Sequence, residues 1–133
     1  MKLIIFTDGA SRGNPGPSSC GFLIQDFRGK TLYEEGKYLG INTNNFAEYS
    51  GVLNALVYIR KNFHHISEIN FFMDSKLVVE QLSGRYKIKS PSLKILIDQI
   101  RELEKGFPHI SFQHIRRELN TKADLLANLA LDK

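Results

Sequence analysis

The chain has 133 residues, 42% of them hydrophobic, and a formal net charge of +4. That length and apolar content suit a single domain, residues 1–133, with a core large enough to need no covalent staples. A lone cysteine, Cys20, excludes an internal disulfide and a cysteine-rich zinc site, and it fits a reducing cytoplasm. The opening apolar run, Leu3 to Phe6, is too short for a signal peptide and no later stretch could span a bilayer, so the expectation is a cytoplasmic protein without a membrane partner. A pI of about 9.2 leans toward a polyanionic partner without specifying one.

Residues 2 to 7 and 19 to 26 are rich in Ile, Leu and Phe, residues 30 to 39 are more polar, and turn residues separate the three runs, which read as consecutive strands. Residues Arg12 to Pro17 hold two prolines and two glycines and read as the loop between the first two strands. From Asn44 to about Asn62 the period becomes helical, with Phe46, Tyr49, Leu53, Leu56 and Val57 on one side. Ile69 to Met73 reads as a buried strand, Ser75 to Leu82 as a helix closed by Gly84, and Pro91 as the first turn of a helix reaching about Lys105. His109 to Ile115 supplies a fifth strand and Thr121 to about Leu131 the last helix. The order βββαβααβα, three strands followed by strand-helix alternation, implies an α/β protein with one five-stranded mixed sheet flanked by helices.

Four carboxylates, Asp8, Glu48, Asp74 and Asp124, stand at predicted strand ends or helix starts within segments that otherwise read as core. Taken singly, each has a local role available. Asp8 before Gly9 suits an Asx turn, and Asp74 suits a helix N-cap. Glu48 suits a capping box opened by Asn45, and Asp124 suits a partner for Thr121. Gly9 beside Asp8 also leaves room for a ligand. Glu48 points beyond these local roles, because it falls with Val52, Ala55 and Ile59 on the helical arc that should face the sheet. Asp8 and Asp74 close strands that can be neighbours, so three acids can meet, and without a cation their repulsion would raise at least one pKa sharply. An oxygen-only donor set suits magnesium or manganese better than zinc, and His64, His65, His109 and His114 show no zinc-ligand spacing.

Four blocks of the sequence resemble type 1 ribonuclease H. They are Phe6-Thr7-Asp8-Gly9-Ala10-Ser11-Arg12-Gly13-Asn14-Pro15-Gly16, Thr43-Asn44-Asn45-Phe46-Ala47-Glu48, Met73-Asp74-Ser75 and Arg116-Arg117-Glu118-Leu119-Asn120-Thr121-Lys122-Ala123-Asp124. The resemblance implies the RNase H-like fold and hydrolysis of the RNA strand of RNA-DNA hybrids, leaving a 5′-phosphate and a 3′-hydroxyl. It further implies that Asp8, Glu48, Asp74 and Asp124 are the catalytic acids, ligating two magnesium ions when substrate is bound, with manganese as an alternative. By position, Asn14, Asn44 and Asn45 match minor-groove contacts, Ser11 and Arg12 share the first loop, and Thr43 matches a DNA-phosphate contact. Short amide and hydroxyl side chains can test for 2′-hydroxyls in a wide, shallow groove without reading sequence.

Two departures from many bacterial members qualify the resemblance. The long basic insertion between the middle helices is replaced by Ser83 to Ser90, with only Arg85, Lys87 and Lys89 as cations. The loop before Asp124, Arg116 to Lys122, also lacks the family's mobile histidine. Arg117 is the candidate phosphate-facing helper, with Arg116 next; His114 lies inside the predicted strand. A monomer is expected. The competing reading is a non-catalytic hybrid-binding module of the same fold, against which the four intact acids argue.

Overall fold

A computed structural model describes residues 1–132. Its elements are β1 (Lys2–Ser11), β2 (Gly16–Asp26), β3 (Thr31–Asn42), α1 (Asn44–Asn62), β4 (Glu68–Met73), α2 (Lys76–Leu82), α3 (Pro91–Glu104), β5 (Ile110–His114) and α4 (Thr121–Leu131), with a short 3₁₀ turn at Arg117–Leu119. The five strands form one sheet in the order β3-β2-β1-β4-β5. β1 pairs antiparallel with β2 and β2 with β3, whereas β4 is parallel to both β1 and β5. This is the mixed sheet that the order of elements implies.

Alternation along β1 sends Leu3 and Ile5 to one face, where they meet Phe22 and Ile24 of β2, Ile69 and Phe71 of β4, and the helices α1 and α3. From α1 come Tyr49, Val52, Leu56 and Ile59, and from α3 come Leu96, Ile97 and Ile100. Each such side chain contributes about 1.5–3 kcal/mol on burial, so the face under α1 supplies most of the hydrophobic stabilisation. Phe71 and Phe112 stack at 5.2 Å, carrying the core to the edge strand β5. α4 packs on the opposite face. Gly21 of β2 makes that approach possible, since a Cβ there would stand 2.5 Å from the Ala123 carbonyl oxygen. Among the described residues no helix is long and apolar enough to cross a membrane.

Several boundaries differ from the sequence reading. β1 runs on to Ser11 instead of ending at Asp8, because β2 keeps pairing with it as far as Ser11↔Ser18. The expected loop from Arg12 to Pro17 shrinks accordingly: Gly16 and Pro17 already belong to β2, and the Arg12 amide donates to the Pro17 carbonyl at 2.8 Å. β3 extends to Asn42, while β5 is shorter than expected at both ends. Val57 is 48% exposed, since the buried face of α1 centres on Val52, Ala55 and Ile59 and Val57 lies on the far side. Gly84, with φ of +81°, follows the end of α2 as expected.

Candidate functional site

The β1–β4 ladder ends at Phe6↔Phe72, so Asp8 and Asp74 each lie two positions past the last pair of two adjacent parallel strands. α1 begins above them. Its N-cap is Thr43, whose extended backbone (φ −82°, ψ 163°) lets Oγ1 accept from the Phe46 amide at 3.1 Å. The capping box from Asn45 to Glu48 therefore does not form, and Glu48 instead turns its 9%-exposed side chain inward. Asp74 is likewise not the cap of α2: Ser75 is, accepting from the Val78 amide. With Glu48 and Asp74 free of capping, these two and Asp8 each present a carboxylate oxygen within 4.8 Å of the others.

Gly9 ties two of these acids together. Its amide donates to Asp8 Oδ1 and to Glu48 Oε1, both at 2.9 Å. The missing side chain of Gly9 makes room for α1 and not, as its position suggested, for a ligand: a Cβ would meet the Ala47 carbonyl carbon and the Glu48 nitrogen at 2.5 Å. Gly9→Ala is therefore expected to push the start of α1 off β1, costing roughly 1–3 kcal/mol of overpacking and displacing Glu48. A thermal melt and a cleavage assay on the same variant check this, and normal values in both would refute the close contact.

Burial is the main force on these carboxyls. It drives Asp8 far above the ordinary carboxylate range, with the neighbouring Glu48 charge and then Asp74 adding to the shift. Glu48 is raised to about 7 by burial, in spite of its contacts with Asp8 and the Gly9 amide. Asp74 is also raised by burial and is relieved chiefly by Arg117. In the absence of a cation the Asp8–Glu48 pair therefore resists carrying two negative charges. Glu48 Oε2 is buried and has no hydrogen-bond partner among the described residues. Hard oxygen donors, an orphaned buried carboxylate oxygen and upward shifts on all three acids fit a divalent cation such as magnesium or manganese.

Asp124 stands outside this trio of shared ligand atoms but touches it, its side chain reaching Asp8. It does not answer Thr121. Its amide donates to the Asn120 carbonyl at 3.2 Å, and its Oδ1 accepts from Asn128 Nδ2 at 3.1 Å. Arg117, 88% exposed on the 3₁₀ turn, brings Nε to 3.9 Å from Asp74 Oδ2. Arg116 caps that turn without a side-chain bond. His114 ends β5 opposite Met73, beside Asp74.

The remaining sequence candidates border the same end of the sheet. Asn14 Oδ1 accepts from the Asn44 amide at 3.1 Å, joining the first loop to the start of α1 beside the cap Thr43. Ser11 Oγ donates to the Gly13 carbonyl and, at 3.3 Å, to that of Asn42. Arg12 departs from this group, turning to an ion pair with Asp132 beyond α4. Asn45 lines a groove with Gln81, Arg85, Tyr86, Lys87 and Lys89. Sequence reasoning passed over Tyr86 and Gln81; an aromatic set among three cations was the available signal.

A five-stranded mixed sheet in this order, with acids gathered where its central parallel strands end, defines the ribonuclease H-like class. A family model described as reverse transcriptase-like matches residues 6–130. The ribonuclease HI of Halobacterium salinarum is 40% identical over 127 residues, covering 96% of this chain and 63% of that protein. The ribonuclease H of Ruthia magnifica subsp. Calyptogena magnifica is 30% identical over 151 residues, covering 99% of this chain and 97% of the relative. Among solved structures, RNase H1 from Halobacterium salinarum superposes with a TM-score of 0.93 at 38% identity, covering 99% of this chain and 98% of that one. LC11-RNase H1 in complex with an RNA/DNA hybrid gives 0.91 at 41%, covering 98% and 96%. The chain belongs to the type 1 ribonuclease H family. It spans 36% of the length of a bifunctional protein of Mycobacterium tuberculosis to which it is 44% identical.

Proposed function

We propose that this chain is an endoribonuclease that hydrolyses the RNA strand of RNA-DNA hybrids, leaving a 5′-phosphate and a 3′-hydroxyl. The observation that carries the reading is the meeting of Asp8, Glu48 and Asp74 within 4.8 Å, in a protein of net charge +4. A cluster of buried acids repels phosphate unless cations intervene, so it serves a hybrid only through them. Asp8, Glu48, Asp74 and Asp124 would hold two magnesium ions, or manganese in their place. When bound, such ions supply activation of the attacking water and stabilisation of the leaving 3′-oxygen.

The chain's own residues do the rest. The Gly9 amide fixes the two most buried acids in one orientation. Asn14, Asn44 and Asn45, with Ser11 in the same first loop as Asn14, would line the approach with short polar groups suited to a minor groove, Thr43 would meet a DNA phosphate, and Arg12 is available there once it leaves Asp132. Lys87, Lys89 and Tyr86, grouped beside Asn45, suit the phosphates and sugars of the strand that is not cut. Arg117, exposed and next to Asp74, is suited to steady the phosphate charge that builds up during cleavage. Arg117→Ala is expected to slow turnover by roughly tenfold with little change in melting temperature, as measured by single-turnover cleavage; unchanged kinetics would make it an ordinary surface charge. Because one chain carries every proposed group, the reading takes a monomer, and the lone, unpaired Cys20 suits a reducing cytoplasm.

Incubation of the purified protein with labelled RNA-DNA hybrid, double-stranded RNA and double-stranded DNA tests the proposal, each with magnesium, manganese or chelator. Cleavage confined to the RNA of the hybrid, and lost with chelator, is expected. Binding of hybrid without any cut would favour the non-catalytic reading, and cleavage surviving chelation would overturn the cation-dependent one.

A further inference from the structure

We propose that Asn120 is a positioning residue that holds Asp124 against Asp8, resting on the ligand role proposed above for Asp124. Asn120 sits between the 3₁₀ turn and α4 and is only 1% exposed. An asparagine at the start of a helix ordinarily turns its side-chain oxygen back to accept from an amide of the first turn. Here no such cap forms. The side chain instead crosses to β1, where Nδ2 donates to the Thr7 carbonyl at 2.8 Å, and Oδ1 is left buried without a partner among the described residues.

Thr7 is the residue before Asp8. Four residues along α4, the Asp124 amide donates to the carbonyl of Asn120 itself at 3.2 Å. One buried side chain therefore grips the backbone beside one acid, while its own backbone anchors the turn that bears the other. Asn128 bonds both the carbonyl and Oδ1 of Asp124, at 2.9 and 3.1 Å, while the Asp124 side chain reaches Asp8 of β1. The close seating of α4 on Gly21 brings the helix to the sheet, and the Asn120–Thr7 bond sets its position along β1. A side chain kept for helix capping alone would have no reason to forgo the cap.

Calorimetric titration with Mn²⁺ of the wild type, Asn120→Ala, Asp124→Asn and the double variant tests this without relying on activity. Loss of a group that orients a metal ligand typically weakens metal affinity tenfold or more, so Asn120→Ala is expected to bind Mn²⁺ about tenfold more weakly. Because it acts through Asp124, the double variant is expected to bind no more weakly than Asp124→Asn alone. Unchanged affinity in Asn120→Ala, or losses that multiply in the double variant, would overturn the inference. Unchanged affinity in Asp124→Asn would instead overturn the ligand role of Asp124. Asn120→Ser serves where Asn120→Ala fails to fold: it supplies an ordinary cap but is too short to reach Thr7. The same weakening is expected of it, and wild-type affinity would show that capping, not the reach to β1, is what matters.

Discussion

Asp8→Asn is expected to lower cleavage of RNA-DNA hybrid by roughly 10³-fold or more, the scale seen when a residue acting within a catalytic unit is removed. The fold should survive, because an asparagine Oδ1 can still accept from the Gly9 amide that now bonds Asp8 at 2.9 Å. Without metal the variant should in fact be more stable, since Glu48 and Asp74 lose a buried carboxyl neighbour. A gain of about 1 kcal/mol corresponds to a rise of several degrees in melting temperature for a domain of this size. Single-turnover cleavage and a melt in chelator read the two effects together. Retained turnover would remove Asp8 from the chemistry, and a lower melting temperature would contradict the repulsive cluster.

The second large effect is a coupling of pH, cation and stability. Asp8, Glu48 and Asp74 are all raised above their ordinary values by burial. A carboxyl whose folded pKa lies above its unfolded one binds more protons in the fold, so its contribution to stability falls as pH rises between the two. The window opens near the ordinary value of 3.8 for Asp8 and Asp74 and 4.5 for Glu48, and for Glu48 it runs up to about 7. In chelator, therefore, the melting temperature of the wild type should drop relative to Asp8→Asn as pH rises from ~5 to ~8. Saturating magnesium should reverse the trend, since a cation at about a hundred times its Kd adds about 2.7 kcal/mol to the folded state. Parallel curves for the two proteins, or no response to magnesium, would contradict the shifted acids.

Much of the acidic centre was legible because Glu48 breaks the helical pattern: an acid among Val52, Ala55 and Ile59 needs a partner that a solvated glutamate would not. The element order was legible for a related reason, as changes of hydrophobic period mark the strands and α1 independently of tertiary contacts. The strand ends near the first loop were not. Pro15, Gly16 and Pro17 carry strong turn signals, yet Pro17 faces Ile41 across the β2–β3 ladder and pairing continues through it. Asn120 escaped notice for a deeper reason. Its hydrogen bond spans 113 residues to Thr7, and nothing near it in sequence distinguishes that reach from a routine cap. The groove by Asn45 is similar, formed only when the connection bearing Tyr86 folds back toward α1.

Titration of the metal-free protein with Mn²⁺, followed by calorimetry and repeated on Asp8→Asn and Asp74→Asn, addresses the acid cluster most directly. Saturable binding to the wild type that is lost or strongly weakened in both variants is the expected result. Absence of binding, or affinity undiminished in the two variants, would mean that Asp8, Glu48 and Asp74 gather for some purpose other than holding cations.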